Sequence, residues 1–260
     1  MVTVKVRRME PSGVVEIVLN RVDALNAIST EHARAITSVG RGLADDETMR
    51  AAVLTSASDR AFCVGADLKE RRDFTDDDLR RQRLVTRETY RSILDLPVPT
   101  VAAVHGYALG GGLELALCCD LIVVEEDAVL GLPEVSVGLV PGGGGTQLLA
   151  RRIGWGRAAD LTFTARRIDG EEAYRLGVAD RLVMAGEARE TALQLARQIA
   201  GNSPVGVRNA KRAMRLGMDA PLASGLDIED AAWRATAFSA DRKEGIAAFN
   251  EKREPNWPGV

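Results

Sequence analysis

Apolar residues in this chain come in short unbroken runs, set between longer stretches of helical period. The clearest run is Val14-Val-Glu-Ile-Val-Leu19, rich in β-branched residues, and 51–55, 98–104, 121–124 and 178–183 follow it. Runs this short, bounded by turn residues, predict buried strands. Pro97 and Pro99 fix the entry to the third of them. Between the strands the spacing predicts helices over 29–42, 78–95, 113–119, 145–153, 170–176 and 187–199. Ser29 is placed to cap the first, with Glu31 and His32 in its opening turn. Residues 20–27 read as a loop, and 71–91, crowded with Asp and Arg, read as a solvated helix or mobile loop. Short buried strands alternating with helices predict an α/β layered domain. Only helical patterns follow residue 187, so the reading divides the chain into a core over 1–185 and a C-terminal helical region over 186–260.

Composition narrows the partners. The 260 residues are 46% hydrophobic and 27% charged, which fits one large globular domain or a domain with an appendage. Lys+Arg 34 against Asp+Glu 37 leaves a net charge of −3, so no basic surface is expected to attract nucleic acid. Cys63 stands apart from the adjacent Cys118 and Cys119, which is not a disulfide framework; a reducing, cytoplasmic setting is expected. His32 and His105 lie far apart, and no metal site is expected. The sole membrane-span candidate, 101–124, carries Gly106, Gly110, Gly111 and Gly112 together with Glu114 and Asp120, and it reads better as a soluble core segment. Residues 1–8 lack the apolar stretch of a signal peptide.

Three glycine-rich places carry the candidate chemistry: 63–69, 106–112 and 141–146. No Gly-Lys dipeptide occurs, which removes a P-loop, and both candidate dinucleotide fingerprints lack their third glycine, with Leu115 or Gln147 in its place. The first amides of a helix are unpaired and carry the positive end of its dipole. Gly110-Gly111-Gly112, opening the helix at 113–119, can therefore offer N–H donors to an oxyanion, or can serve close helix–strand packing. Glu114 follows at once, in a run whose other ionisable groups are His105, Tyr107 and thiols. Burying such a carboxylate costs several kcal/mol or raises its pKa, and functional groups are often placed that way. Glu134 follows Pro133, again among apolar neighbours. Two carboxylates in dry surroundings can divide acid and base roles; the alternative is two glutamates facing solvent at loop ends.

With these residues in view, the sequence resembles the enoyl-CoA hydratase (crotonase) superfamily over nearly its whole length. The matching pieces are Leu19-Asn-Arg21 with Ala24-Leu-Asn-Ala27, Ala61-Phe-Cys-Val-Gly-Ala-Asp-Leu68, Gly106-Tyr-Ala-Leu-Gly-Gly-Gly-Leu-Glu-Leu115, Pro133-Glu134 and Gly138-Leu-Val-Pro-Gly-Gly-Gly-Gly-Thr-Gln147. Toward the end, 241–249 and 251–253 resemble the family's closing helix. The resemblance implies a crotonase-like ββα spiral core with a C-terminal helical trimerisation region. It implies syn addition of water to a 2-enoyl-CoA thioester, with no cofactor beyond the coenzyme A of the substrate.

By position, the amides of Ala66 and Gly111 would form the oxyanion hole and the Gly142 amide would orient the water. Glu114 and Glu134 would be the catalytic pair, Glu134 donating to the α-carbon and Glu114 holding the water. Ala24, Ala66 and Leu68 would lie at the adenine end of CoA. Trp233 occupies a position that is usually Phe, and Lys252 one that meets a CoA phosphate from a neighbouring subunit. Asp23 departs from a common lysine, and His105 from a common asparagine, with packing its expected role. Keeping both glutamates favours hydration over the double-bond isomerisation that other members perform; an acyl-CoA-binding scaffold is a third reading. RNA binding in a relative uses a lysine-rich first helix, and 29–42 contains no lysine. A homotrimer or dimer of trimers is the assembly the resemblance implies.

Overall fold

A computed structural model describes residues 2–260. The chain opens with β1 (Val4–Met9) and β2 (Val14–Leu19), an antiparallel pair, then passes through a 3-10 turn at Val22–Ala24 into α1 (Thr30–Ala44). β3 (Ala51–Ser56), β4 (Ala61–Cys63), the short α2 (Leu68–Arg71) and the long α3 (Asp76–Leu94) follow. Next come β5 (Thr100–Val104), β6 (Tyr107–Leu109), α4 (Gly111–Leu117), β7 (Leu121–Glu125) and β8 (Val129–Gly131). A second 3-10 turn, Pro133–Val137, leads to α5 (Gly145–Ile153), α6 (Trp155–Thr164), β9 (Ile168–Asp169), α7 (Gly170–Leu176) and β10 (Arg181–Val183). The chain closes on α8 (Ala188–Ala200), α9 (Pro204–Gly217), α10 (Leu222–Ala237) and α11 (Ala240–Glu251).

The strands form two sheets. The larger has the order β1-β2-β3-β5-β7-β10, parallel from β2 onward, and the smaller has the order β4-β6-β8-β9. Successive strands therefore alternate between sheets, β3 to β4, β5 to β6 and β7 to β8, as the chain spirals. This is the crotonase core, and it explains the unbroken apolar runs. On β2, Val15, Ile17 and Leu19 face the main core, while Val14 faces a second core with Ala51, Val53, Val101, Ala103 and Val123. A sheet buried on both faces needs no polar alternation.

The second core is completed by Ala188, Ala192, Leu193, Ala196 and Ala200 of α8. The structure thus differs from the expected division after residue 185, because α8 lies on the larger sheet and belongs to the layered core. The small residues on its inner face allow that close approach. The helical region standing off the sheet begins with α9. Sequence periodicity also passed over β1, β4, β6, β8, β9 and α6. Four of these strands belong to the small sheet and span only two or three residues each, too few to show a period. The charged 71–91 stretch resolves largely into α3, opened by a Thr75–Asp78 capping box and burying Gln82, Thr86, Thr89, Tyr90, Ser92 and Ile93.

Candidate active site

The site forms where the ends of small-sheet strands release the glycine-rich turns. After β4 the chain turns through Gly65, whose φ is +84°; a Cβ there would lie 2.6 Å from the Leu109 carbonyl oxygen and 2.9 Å from the Gly111 nitrogen. Only glycine lets the two turns pack backbone to backbone, which sets Gly65, the residue before Ala66, directly against Gly111. An isolated bridge with Ile28 steadies the first turn, Ile28 donating to the Gly65 carbonyl at 2.7 Å and Asp67 to the Ile28 carbonyl at 3.2 Å. Ala66 itself donates to no described residue in that bridge. Gly111, first residue of α4, has no acceptor within its helix.

Glu114 sits one turn into α4 and is only 2% exposed. Its Oε1 accepts from the amides of Gly143, at 2.6 Å, and Gly145, at 2.8 Å. Burial raises its pKa, while the amides of Gly145, Gly143 and Gly142 and the Arg83 guanidinium oppose the rise. The glycine run 141–146 is therefore first of all a cradle for this carboxylate, and the Gly142 amide points the same way.

Glu134 enters from the Pro133–Val137 turn. Its Oε1 packs over Gly110, where an added Cβ would lie 2.8 Å away, and Gly110 itself holds φ +52° and ψ −124°, a region hostile to side chains. Its Oε2 is buried without a hydrogen-bond partner among the described residues. Burial pushes the Glu134 pKa up to about 7, with the charge of Glu114 adding to the rise and the residue's own backbone amide opposing it. The two carboxylates therefore share a water-poor site under different electrostatic conditions.

Two residues of α3 border this cluster and carried no signal beyond a charged helical pattern. Tyr90 is buried, with its hydroxyl against Gly111 and its ring against Gly143. Burial pushes its phenol well above the ordinary range, so it stays protonated. Arg83 faces Gly142, with Cζ, Nη1 and Nη2 at 3.4–3.5 Å from the position an added Cβ would take.

The structure brings Ala24, Ala66 and Leu68 to neighbouring loops. Val64 donates to the Leu25 carbonyl at 3.2 Å, and Arg21 reaches Asp67 at 2.6 Å. Leu68 is exposed at the start of α2. Trp233 and Lys252 do not join the cluster within one chain. Trp233 lines a groove of about 600 Å³ between α9 and α10 with Met214, Met218 and Leu226, and Lys252 ends α11 in a left-handed conformation. His105 packs as expected, its Nε2 2.7 Å from the Ser58 carbonyl. Among the described residues no cluster of three or more His, Cys, Asp or Glu could hold a metal ion, and no helix is long and apolar enough to cross a membrane.

A spiral of paired sheets that sets glycine-rich turns around one buried and one half-buried carboxylate is a candidate active site, and known proteins place it. The sequence profile described as enoyl-CoA hydratase/isomerase matches residues 9–259, and the chain belongs to that family. It is 40% identical over 258 residues to probable enoyl-CoA hydratase 2, mitochondrial, of Arabidopsis thaliana, covering 98% of this chain and 86% of that protein. It is also 40% identical over 261 residues to methylglutaconyl-CoA hydratase, mitochondrial, of Mus musculus, covering 98% and 83%. The crystal structure of enoyl-CoA hydratase from Bacillus anthracis superposes with a TM-score of 0.96 at 39% identity, covering 99% of this chain and 100% of that one.

Proposed function

We propose that this protein is an enoyl-CoA hydratase, adding water across the C2=C3 bond of a 2-enoyl-CoA thioester to give the 3-hydroxyacyl thioester. The observation that carries the reading is the asymmetric carboxylate pair: Glu114 gripped by glycine amides, and Glu134 with a bare buried oxygen and a pKa near neutrality. The thioester oxygen sits between the amides of Ala66 and Gly111, where enolate charge grows during addition. Each such donor is worth about 2.7–4 kcal/mol in comparable oxyanion sites.

Glu114, whose ionised form the glycine amides and Arg83 favour against burial, orients a water and takes its proton as the oxygen bonds to C3. The C2=C3 π electrons move toward the thioester, and C2 takes its proton from the protonated Glu134. One water is consumed, and solvent returns the proton from Glu114 to Glu134. An isomerase would move the double bond without consuming water. Nothing in the reaction requires more than these groups and the CoA ester.

The CoA moiety lies along Ala24, Ala66 and Leu68. Trp233 and Lys252 serve it through assembly, Lys252 reaching the phosphate of a neighbouring subunit's substrate in a trimer or dimer of trimers. The exposed apolar side chains of Met214, Met218, Leu222, Phe238 and Phe249 on and beside the last helices support association. Mixing the protein with crotonyl-CoA tests the reading: the conjugated-enoyl absorbance should decay and the product should gain the mass of one water. Unchanged mass, or no decay for any short 2-enoyl-CoA, would overturn it.

A further inference from the structure

The hydratase reading needs two backbone amides aimed at one thioester oxygen, and the two are held in different ways. Gly111 is the first residue of α4, so its helix fixes the direction of its N–H. Ala66 belongs to no helix or strand and follows Gly65, a residue type with an unusually free backbone. A misaligned donor makes a weak hydrogen bond, so this amide has to be aimed from outside. Ile28 supplies the first hold by donating to the Gly65 carbonyl at 2.7 Å. That carbonyl and the Ala66 N–H share one planar trans peptide unit and point in opposite directions. Gripping the oxygen therefore turns the Ala66 N–H away from Ile28.

A single guanidinium staples that contact. Arg21 Nη1 donates to the Ala27 carbonyl at 2.8 Å and to Asp67 Oδ2 at 2.6 Å, the residues just before Ile28 and just after Ala66. Asp67 Oδ1 accepts from the amides of Lys69, at 3.0 Å, and Glu70, at 3.1 Å. It thereby caps α2, which at four residues is too short to hold itself. Glu70 in turn accepts from the Thr30 amide at 2.9 Å and from Gln82 Nε2 at 2.7 Å, fastening α2 to α1 and α3. Asp67 is buried; burial works against its ionisation, but the Glu70 amide and Arg21 outweigh it and hold its pKa low. Among the described residues, neither Asp67 nor Arg21 has another ion-pair partner. Because α2 buries no side chain, the pair orders the turn rather than the core.

From this geometry we infer that Arg21 and Asp67 are positioning residues for the reaction: their ion pair locks the Ile28 contact and so aims the Ala66 amide at the thioester oxygen. This rests on the hydratase reading. Asp67→Asn, which keeps the cap but not the charge, should lower kcat for crotonyl-CoA by about 10-fold. Arg21→Met should lower it by about 10- to 100-fold. Both fall short of the 10²–10³-fold that follows outright loss of an oxyanion donor. KM should change by less than about threefold, because the interaction lost is one that strengthens in the transition state. Arg21→Lys should restore part of the rate. Combining Asp67→Asn with Arg21→Met should cost no more than the worse single change, as expected for partners in one contact.

The absorbance of a bound chromophore reads the amide without turnover. 4-(Dimethylamino)cinnamoyl-CoA carries an electron donor conjugated to its thioester, so gripping the carbonyl oxygen moves its absorption to longer wavelength. The wild type should shift the band; Asp67→Asn and Arg21→Met should lose part of the shift while calorimetry gives Kd values within about threefold of wild type. A full shift in folded variants, or losses in affinity for free CoA that match the losses in kcat/KM, would make the pair structural or CoA-binding and overturn the inference. Should Arg21→Met fail to fold, Arg21→Lys and Asp67→Asn carry the same comparison. A staple-dependent shift in a protein that hydrates no 2-enoyl-CoA would sink the hydratase reading and keep the aimed amide. No shift in the wild type would overturn the inference itself.

Discussion

Glu16 and the Glu114–Glu134 pair are carboxylates of the same type, removed from water in the same protein, and they are treated in opposite ways. Glu16 sits fully buried on β2 and receives a fork from Arg189, Nε to Oε1 at 2.6 Å and Nη2 to Oε2 at 2.8 Å, with Thr55 donating at 3.0 Å. Burial works against its ionisation, but the arginine and threonine outweigh it and hold its pKa low. Glu134 has no such partner, and its pKa climbs to about 7. Glu114 lies between, gripped by neutral amides but denied a directly bonded counter-charge. A structural carboxylate is neutralised where it stands; a reactive one is left able to exchange a proton. The protein spends stability on the second kind, and substitutions should separate the two.

The largest effect should come from removing that capacity. Glu114→Gln and Glu134→Gln should each slow crotonyl-CoA hydration by about 10²–10⁴-fold, the range for a lost general acid or base, while a saturated acyl-CoA binds within a few-fold of wild type by calorimetry. A near-normal rate in either variant would remove that residue from the chemistry. Arg189→Leu should do the reverse, costing about 2–3 kcal/mol of stability because it strands Glu16, with activity kept in the folded protein. That is the low side for buried pairs, since Arg189 is half exposed. Because the Glu16 pKa is depressed, its stabilisation is present above the ordinary carboxylate range and fades as the pH falls through its folded value. The difference between wild type and Arg189→Leu in denaturant melts should therefore shrink in acid.

How much of this contrast was legible in the sequence depended on the range of the signal. Glu114 and Glu134 stood out because a charge inside an apolar run is a local anomaly, and the glycines flanking them announced close backbone approach. Arg83 and Tyr90 were invisible for the opposite reason: an arginine among arginines and a tyrosine on a long amphipathic helix are what a solvated helix ordinarily contains. Their position over Gly142, Gly111 and Gly143 spans 21 positions from Tyr90 to Gly111 and 59 from Arg83 to Gly142, and exists only once the intervening fold is in place. The pairing of Glu16 with Arg189 spans 173 positions and is a matter of tertiary packing alone. The large sheet was readable from its continuous runs, whereas the small sheet, which carries the site, was hidden by strands of two or three residues.

Smaller effects sharpen the comparison. Gly110→Ala places a methyl against Glu134 Oε1 and forces a strained backbone, costing about 1–3 kcal/mol, and should lower turnover more than CoA-ester binding. Glu134→Gln should raise the melting temperature slightly, by about 2 °C or less for a chain of this size. The sign follows from a raised pKa: the stabilising state is the protonated one, fully present below the ordinary carboxylate pKa of 4.5 and lost as the pH rises through about 7. The advantage of the variant should therefore widen between those two values. Glu16→Gln, at the other pole, should lower the melting temperature under the same conditions.

The claim at the centre is that Glu134 carries the proton delivered to the α-carbon, and the pH dependence of kcat/KM for crotonyl-CoA tests it most directly. The profile reports the free enzyme, so wild type should lose activity on the alkaline side with a midpoint near 7, the value to which burial lifts Glu134. In Glu134→Gln the residual rate should lose that limb. An alkaline limb that persists unchanged in the variant would assign the proton to another group and contradict the account.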